Sequence, residues 1–76
     1  MEKTTLQNLN FWDMFYISGD KKRCFGNRIR YLVTTREPKV AVKSGYYIEC
    51  SPCDKNGKIT GFGFYTYEYD LEVEKV

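Results

Sequence analysis

Over residues 65–73 the chain alternates without a break. Tyr65, Tyr67, Tyr69, Leu71 and Val73 fall on one parity, and Thr66, Glu68, Asp70 and Glu72 on the other. A two-residue period is that of a half-buried strand, because successive side chains leave an extended backbone on opposite faces. Carried backward, the same register puts Gly61 and Gly63 on the tyrosine face and Phe62 and Phe64 on the acidic one. Two rings then face solvent beside a row of carboxylates. A glycine bulge that reverses the register would instead bury both.

The rest of the chain reads as short strands separated by turn signals. Thr4 or Thr5 can cap a short N-terminal helix carrying Leu6 and Leu9. Residues 11–18 read as a core strand ending at Ser18-Gly19-Asp20-Lys21, a hairpin signal, and residues 21–25 are predicted to return alongside it. After Gly26-Asn27, the positions Ile29, Tyr31 and Val33 alternate with Arg28, Arg30 and Thr34, and Leu32 is the one exception. Pro38 opens a new segment with Val40 and Val42. Ser44-Gly45 marks a second turn, after which Tyr46, Ile48 and Cys50 share a face. Asp54-Lys55-Asn56-Gly57 is a third, since Asn-Gly supplies the positive φ angles of tight hairpins. The prediction is a single mainly β domain over residues 1–76: five to six short strands in a small antiparallel barrel or curled sheet, with the short N-terminal helix.

A chain of 76 residues buries barely enough surface to offset its conformational entropy, and chains of this size often carry a staple. Seven Tyr, five Phe and one Trp supply enough rings for a dense core with some left for a surface. No charged leader followed by an apolar run opens the sequence, and no apolar stretch approaches the ~20 residues of a membrane span, so a cytoplasmic protein without membrane partners is expected. The formal net charge of +2 hides a polar distribution. Residues 21–43 hold Lys21, Lys22, Arg23, Arg28, Arg30, Arg36, Lys39 and Lys43 against Glu37 alone, and both flanks are net acidic. Arg28, Arg30, Lys39 and Lys43 lie on two predicted neighbouring strands, where they form either a basic patch for phosphate or an ordinary solubilising face.

Cys50-Ser51-Pro52-Cys53 has chemical spacing, and Cys24 is the remaining thiol. The pattern resembles the thioredoxin active site over four residues, but a turn follows it here rather than the helix that lowers a catalytic thiol's pKa. On a loop, the same pair forms a knuckle for zinc, with Cys24 as third ligand and Asp54 or Asp20 completing the set in a chain without histidine. Plain buried thiols are the alternative.

Residues 60–67, Thr-Gly-Phe-Gly-Phe-Tyr-Thr-Tyr, resemble the octamer of RNA-recognition motifs, with Phe62, Phe64 and Tyr67 at its aromatic positions, and the Gly-Phe-Gly-Phe core is similar to that of cold-shock domains. That resemblance implies base stacking on RNA or single-stranded DNA. Thr60 stands where that motif has a basic residue, and the carboxylates of Glu68, Asp70 and Glu72 repel phosphate. The same face suits a protein partner with a basic surface: Phe62 and Phe64 as anchors, Glu68 and Asp70 as steering charges. No histidine, nucleophile elbow or phosphate-binding loop is present to carry enzyme chemistry. In size, β content and lack of a catalytic constellation the chain resembles the small phage and mobile-element inhibitors of the anti-CRISPR type. That likeness implies a host protein partner, a nucleic-acid-handling enzyme such as a Cas9-type effector, whose nucleic-acid loading is blocked by contact.

Overall fold

The computed structural model describes residues 2–24, 26–35, 40–42, 45–61 and 63–76, with the backbone alone at 40–42, 45 and 46. Its elements are β1 (Glu2–Thr5), a single 3-10 turn (Leu6–Asn8), β2 (Met14–Ile17), β3 (Arg23–Cys24), β4 (Asn27–Arg28), β5 (Arg30–Val33), β6 (Val40–Val42), β7 (Gly45–Cys53), β8 (Tyr65–Glu68) and β9 (Glu72–Lys75). All described pairings are antiparallel. The sheet runs β1-β9-β2-β5-β7-β6, with β8 also paired to β7, and β3-β4 is a separate two-stranded hairpin.

Two residues of β7 show how its edges are shared. Cys50 is paired with both Val33 and Tyr65, and Tyr47 with both Val40 and Glu68. β5 and β6 therefore follow one another along one edge of β7, and β8 takes the other.

The predicted barrel or curled sheet does not form. Closure needs the strands at the two edges of the sheet to pair with each other, whereas β9, the last strand in the chain, pairs with both β1 and β2 and lies inside the sheet. Among the described residues, β1 and β8 are left unpaired with each other, and the sheet is open. Nor is there an N-terminal helix. Residues 2–5 pair with β9, and Leu6–Asn8 makes one 3-10 turn in which Thr5 has no side-chain capping bond. The Asn8 amide instead donates to the hydroxyls of Thr4 (3.0 Å) and Thr5 (3.1 Å). The return strand expected at 21–25 is also corrected: β3 pairs with β4 rather than with β2. The Ser44 part of the second turn lies outside the described residues, as does Pro38.

The core occupies one face of the sheet. Leu6, Leu9, Phe15, Tyr31, Val33, Ile48, Cys50 and Val73 are buried together there, with Tyr67, Tyr69 and Leu71 packed against them. The Tyr31 ring is the hub, 5.6 Å from Phe15 and edge-on to Tyr67 at 5.8 Å and Tyr65 at 6.3 Å. Leu32, the exception to alternation, is fully buried on the opposite face, where its neighbours across the ladder are Met14 and the buried Ser51. Tyr31, Leu32 and Val33 of β5 are all buried, so both faces of this central strand are covered and apolar residues suit both parities. The turn after β7 folds over this second face, since a Cβ on Gly57 would lie 3.7 Å from the Met14 sulfur.

Candidate functional site

Cys50 and Cys53 are three positions apart on one strand, so their side chains leave opposite faces. Cys50 is in the core, its thiol donating to the Ile48 carbonyl at 3.7 Å, and burial, helped by Glu49, pushes its pKa up to about 12. Cys53 is buried on the other face, where desolvation raises its thiol's pKa against a smaller opposing pull from Arg30. Cys24 is exposed on the β3-β4 hairpin, outside the sheet. Asp54 serves as the turn's cap. Its Oδ1 accepts from the backbone N–H groups of Asn56 (2.8 Å) and Lys58 (3.0 Å), bonds that lower its pKa. In this structure Pro52 stays in the strand and the turn begins only at Asp54, so Cys50 and Cys53 stand on opposite faces of β7 rather than together on a loop. Among the described residues no group of three Cys, Asp or Glu is placed to hold a metal ion.

Alkylation of the native protein is accordingly expected to modify Cys24 alone, with Cys50 and Cys53 reacting only on unfolding, since the thiolate is the reactive form. Mass spectrometry after a short iodoacetamide pulse reads this directly. Protection of all three thiols that is lifted by a chelator would restore the zinc reading.

The register of the chain against β7 slips between Ile59 and Tyr65. Cys53 bridges to Ile59, and the Thr60 N–H donates to the Pro52 carbonyl at 3.1 Å. Straight pairing from there would set Cys50 against Phe62, yet Cys50 is paired with Tyr65. Pro52 has no N–H to return to Thr60, which weakens the ladder at the point where the register slips. Gly63 has φ 78°, a conformation that favours glycine, and its carbonyl accepts from the Ser51 hydroxyl at 3.3 Å. The bulge does not bury Phe64, which remains 60% exposed. Phe62 lies outside the described residues. Glu68 and Asp70 are both exposed, but the long alternation is cut by a turn at Tyr69 and Asp70, where the Leu71 N–H donates to the Glu68 carbonyl at 3.1 Å.

The basic segment is only partly what its sequence suggests, with Lys39 and Lys43 outside the described residues. Arg28 donates to both carboxylate oxygens of Glu74 (2.9 and 3.4 Å) and to the Ile17 carbonyl (3.3 Å), and its guanidinium stands 4.7 Å over the Tyr16 ring. Arg30 donates to the Tyr16 hydroxyl through Nε (3.0 Å) and Nη2 (2.6 Å). The two arginines do meet, on the face opposite the core, but they grip Tyr16, and Glu74 neutralises the charge of Arg28. Nothing in the local sequence marks Glu74 as that partner, because β9 reaches β2 only through the fold.

This pair has a pH signature. The hydrogen bond from Arg28 lowers the Glu74 pKa below its ordinary value of 4.5. Its contribution to stability is therefore present above that value and lost as pH falls through the lower, folded-state pKa. Thermal melts of the native chain and Glu74→Gln should differ at neutral pH and converge in acid. A constant difference down to strongly acidic pH would refute the ion pair.

Comparison with protein-family models, with curated proteins and with solved structures finds no match to this chain.

Proposed function

We propose that this chain is a non-enzymatic binding protein that inhibits a nucleic-acid-handling enzyme of the host cytoplasm, in the manner of anti-CRISPR proteins acting on Cas9-type effectors. The observation that carries the proposal is the exposed Phe64 ring leading into a strand and turn that hold Glu68 and Asp70 in solvent. A groove built to take phosphate is lined with Lys and Arg, and its field draws carboxylates as it draws nucleic acid. The ring then anchors the contact in a desolvated pocket while the acids set the approach. Contact of this kind occupies the groove and excludes the nucleic acid.

The test is a titration of the protein against a Cas9-type effector without and with its guide RNA. Binding is expected to the RNA-free form, to weaken when RNA is present, and to weaken as salt rises. Glu68→Gln should slow association and flatten the salt dependence. The other reading, direct binding of RNA or single-stranded DNA through the aromatics and the basic patch, has the opposite sign: Glu68→Gln would then tighten binding of a short oligonucleotide, by removing repulsion. Equal affinity for the RNA-free and RNA-loaded effector would sink the inhibitor proposal. The partnered state of Arg28 favours the first reading.

A further inference from the structure

Backbone N–H and C=O groups in an antiparallel ladder point to alternate sides residue by residue, and a few bonds set the phase along β7. The Glu49 carbonyl accepts from the Thr34 N–H (3.0 Å), and the Glu49 N–H donates to the Thr35 hydroxyl (2.9 Å), so odd-numbered residues of β7 serve the β5-β6 edge. The Pro52 carbonyl accepts from Thr60, so even-numbered residues serve the other edge. Ile48 and Cys50 thus exchange backbone bonds with Tyr67 and Tyr65, their register partners on β8. The backbone of Thr66 and Glu68 must then point outward. The Glu68 carbonyl is taken up by the turn to Leu71, but no backbone partner appears among the described residues for the Thr66 N–H, the Thr66 carbonyl or the Glu68 N–H. An edge with free donors and acceptors is a template for another strand.

We infer that a partner protein adds an extended segment to the outer edge of β8, and that this segment alternates cationic with apolar residues. The inference rests on the proposal that this stretch is the contact surface, and it names the mode of contact. On one side of the edge stand Thr66 and Glu68, with Asp70 and Glu72 following, all exposed. On the other stand Tyr65 and Tyr67, stacked at 6.2 Å. Tyr65 is 52% exposed although it also meets Tyr31, so the outer flank of its ring is open. An added strand places alternate side chains beside Glu68, where a cation forms a cross-strand ion pair, and beside Tyr65, where an apolar group covers the ring. A second copy of this chain fits less well, because it would bring the Glu68 and Asp70 carboxylates of both copies onto one side of one sheet.

The probe is a short, end-blocked peptide alternating lysine with valine, and the control replaces each lysine by glutamate. Amide-proton exchange followed by NMR should show Tyr65 and Tyr67 protected from the start, and Thr66 and Glu68 slowed about tenfold or more at saturating lysine peptide only. Thr66→Pro removes the outward N–H without touching the β7 ladder, a place where an edge strand tolerates proline. It should weaken peptide binding about tenfold or more, where a lost tenfold is ~1.4 kcal/mol. Unchanged exchange at Thr66 and Glu68, equal binding of the glutamate peptide, or full binding by a folded Thr66→Pro variant overturns the inference. So does concentration-dependent protection of Thr66 in the free protein, which would mean that a second copy covers the edge. If Thr66→Pro fails to fold, the exchange data on the unaltered chain decide. Against a Cas9-type effector, loss of binding with Phe64→Ala and none with Thr66→Pro leaves the contact surface standing and removes strand addition; no loss with either removes both.

Discussion

Phe15→Ala is expected to bring the protein to the edge of unfolding. The ring is fully buried on β2, which lies between β9 and β5, and stacks on Tyr31 at 5.6 Å with its plane tilted 23°. Truncating a buried Phe to Ala removes its transfer free energy and leaves a cavity, together ~3–5 kcal/mol. Domains hold roughly 0.05–0.15 kcal/mol per residue, so a chain of this length holds on the order of 4 to 11 kcal/mol in all. The loss takes much of that, and it falls on the residue that joins the Tyr31 cluster to the centre of the sheet. Urea unfolding should show a large drop in midpoint, or no cooperative transition. Phe15→Leu, which keeps most of the volume, should cost under about 1.5 kcal/mol. An unchanged midpoint for Phe15→Ala would mean that the core is built on other residues.

Phe64→Ala should do the reverse. The ring is exposed and precedes β8 rather than packing under it, so the melting temperature should hold, while binding to a Cas9-type effector should weaken tenfold or more, the ~2 kcal/mol typical of an interface anchor. Measuring both quantities on one preparation separates the two roles. A large fall in melting temperature would make Phe64 a packing residue. Unchanged affinity would move the contact surface elsewhere on the chain.

The contrast between these two phenylalanines shows how far local pattern reaches. Ile48 and Cys50 share a parity and are both buried; Tyr31 and Val33 do likewise; Asp54-Lys55-Asn56-Gly57 turns as its residues require, with Gly57 at φ 81° and its N–H donating to the Asp54 carbonyl. These are properties of single segments, set by side-chain alternation and by which residues accept positive φ, and they are legible in any window that contains them. For the same reason the carboxylates of Glu68, Asp70 and Glu72 could be assigned to solvent before any partner strand was known.

What the segment could not carry is the identity of its neighbours. The slip that leaves Phe64 ahead of β8 falls beside Pro52, on the opposite strand, which has no N–H to offer, so alternation within residues 61–73 gives no sign of it. Whether Cys50 and Cys53 form a knuckle or face apart depends on whether β7 runs straight through Pro52, and its pairing with β5 carries it through. Arg28 reads as a free cation until β9 inserts beside β2 and brings Glu74, 46 residues away in sequence, within hydrogen-bonding reach. The same insertion opens the sheet and leaves β8 at its edge with the Thr66 backbone turned outward. Sequence by itself determined a mainly β chain, the parity of its strands and the site of the Asn-Gly turn, because each follows from local sterics and burial. Strand order, the bulge, the partners of Arg28 and the free edge were decided by tertiary structure alone, because each is a pairing between distant segments, chosen by the burial of the whole core and not by any one stretch.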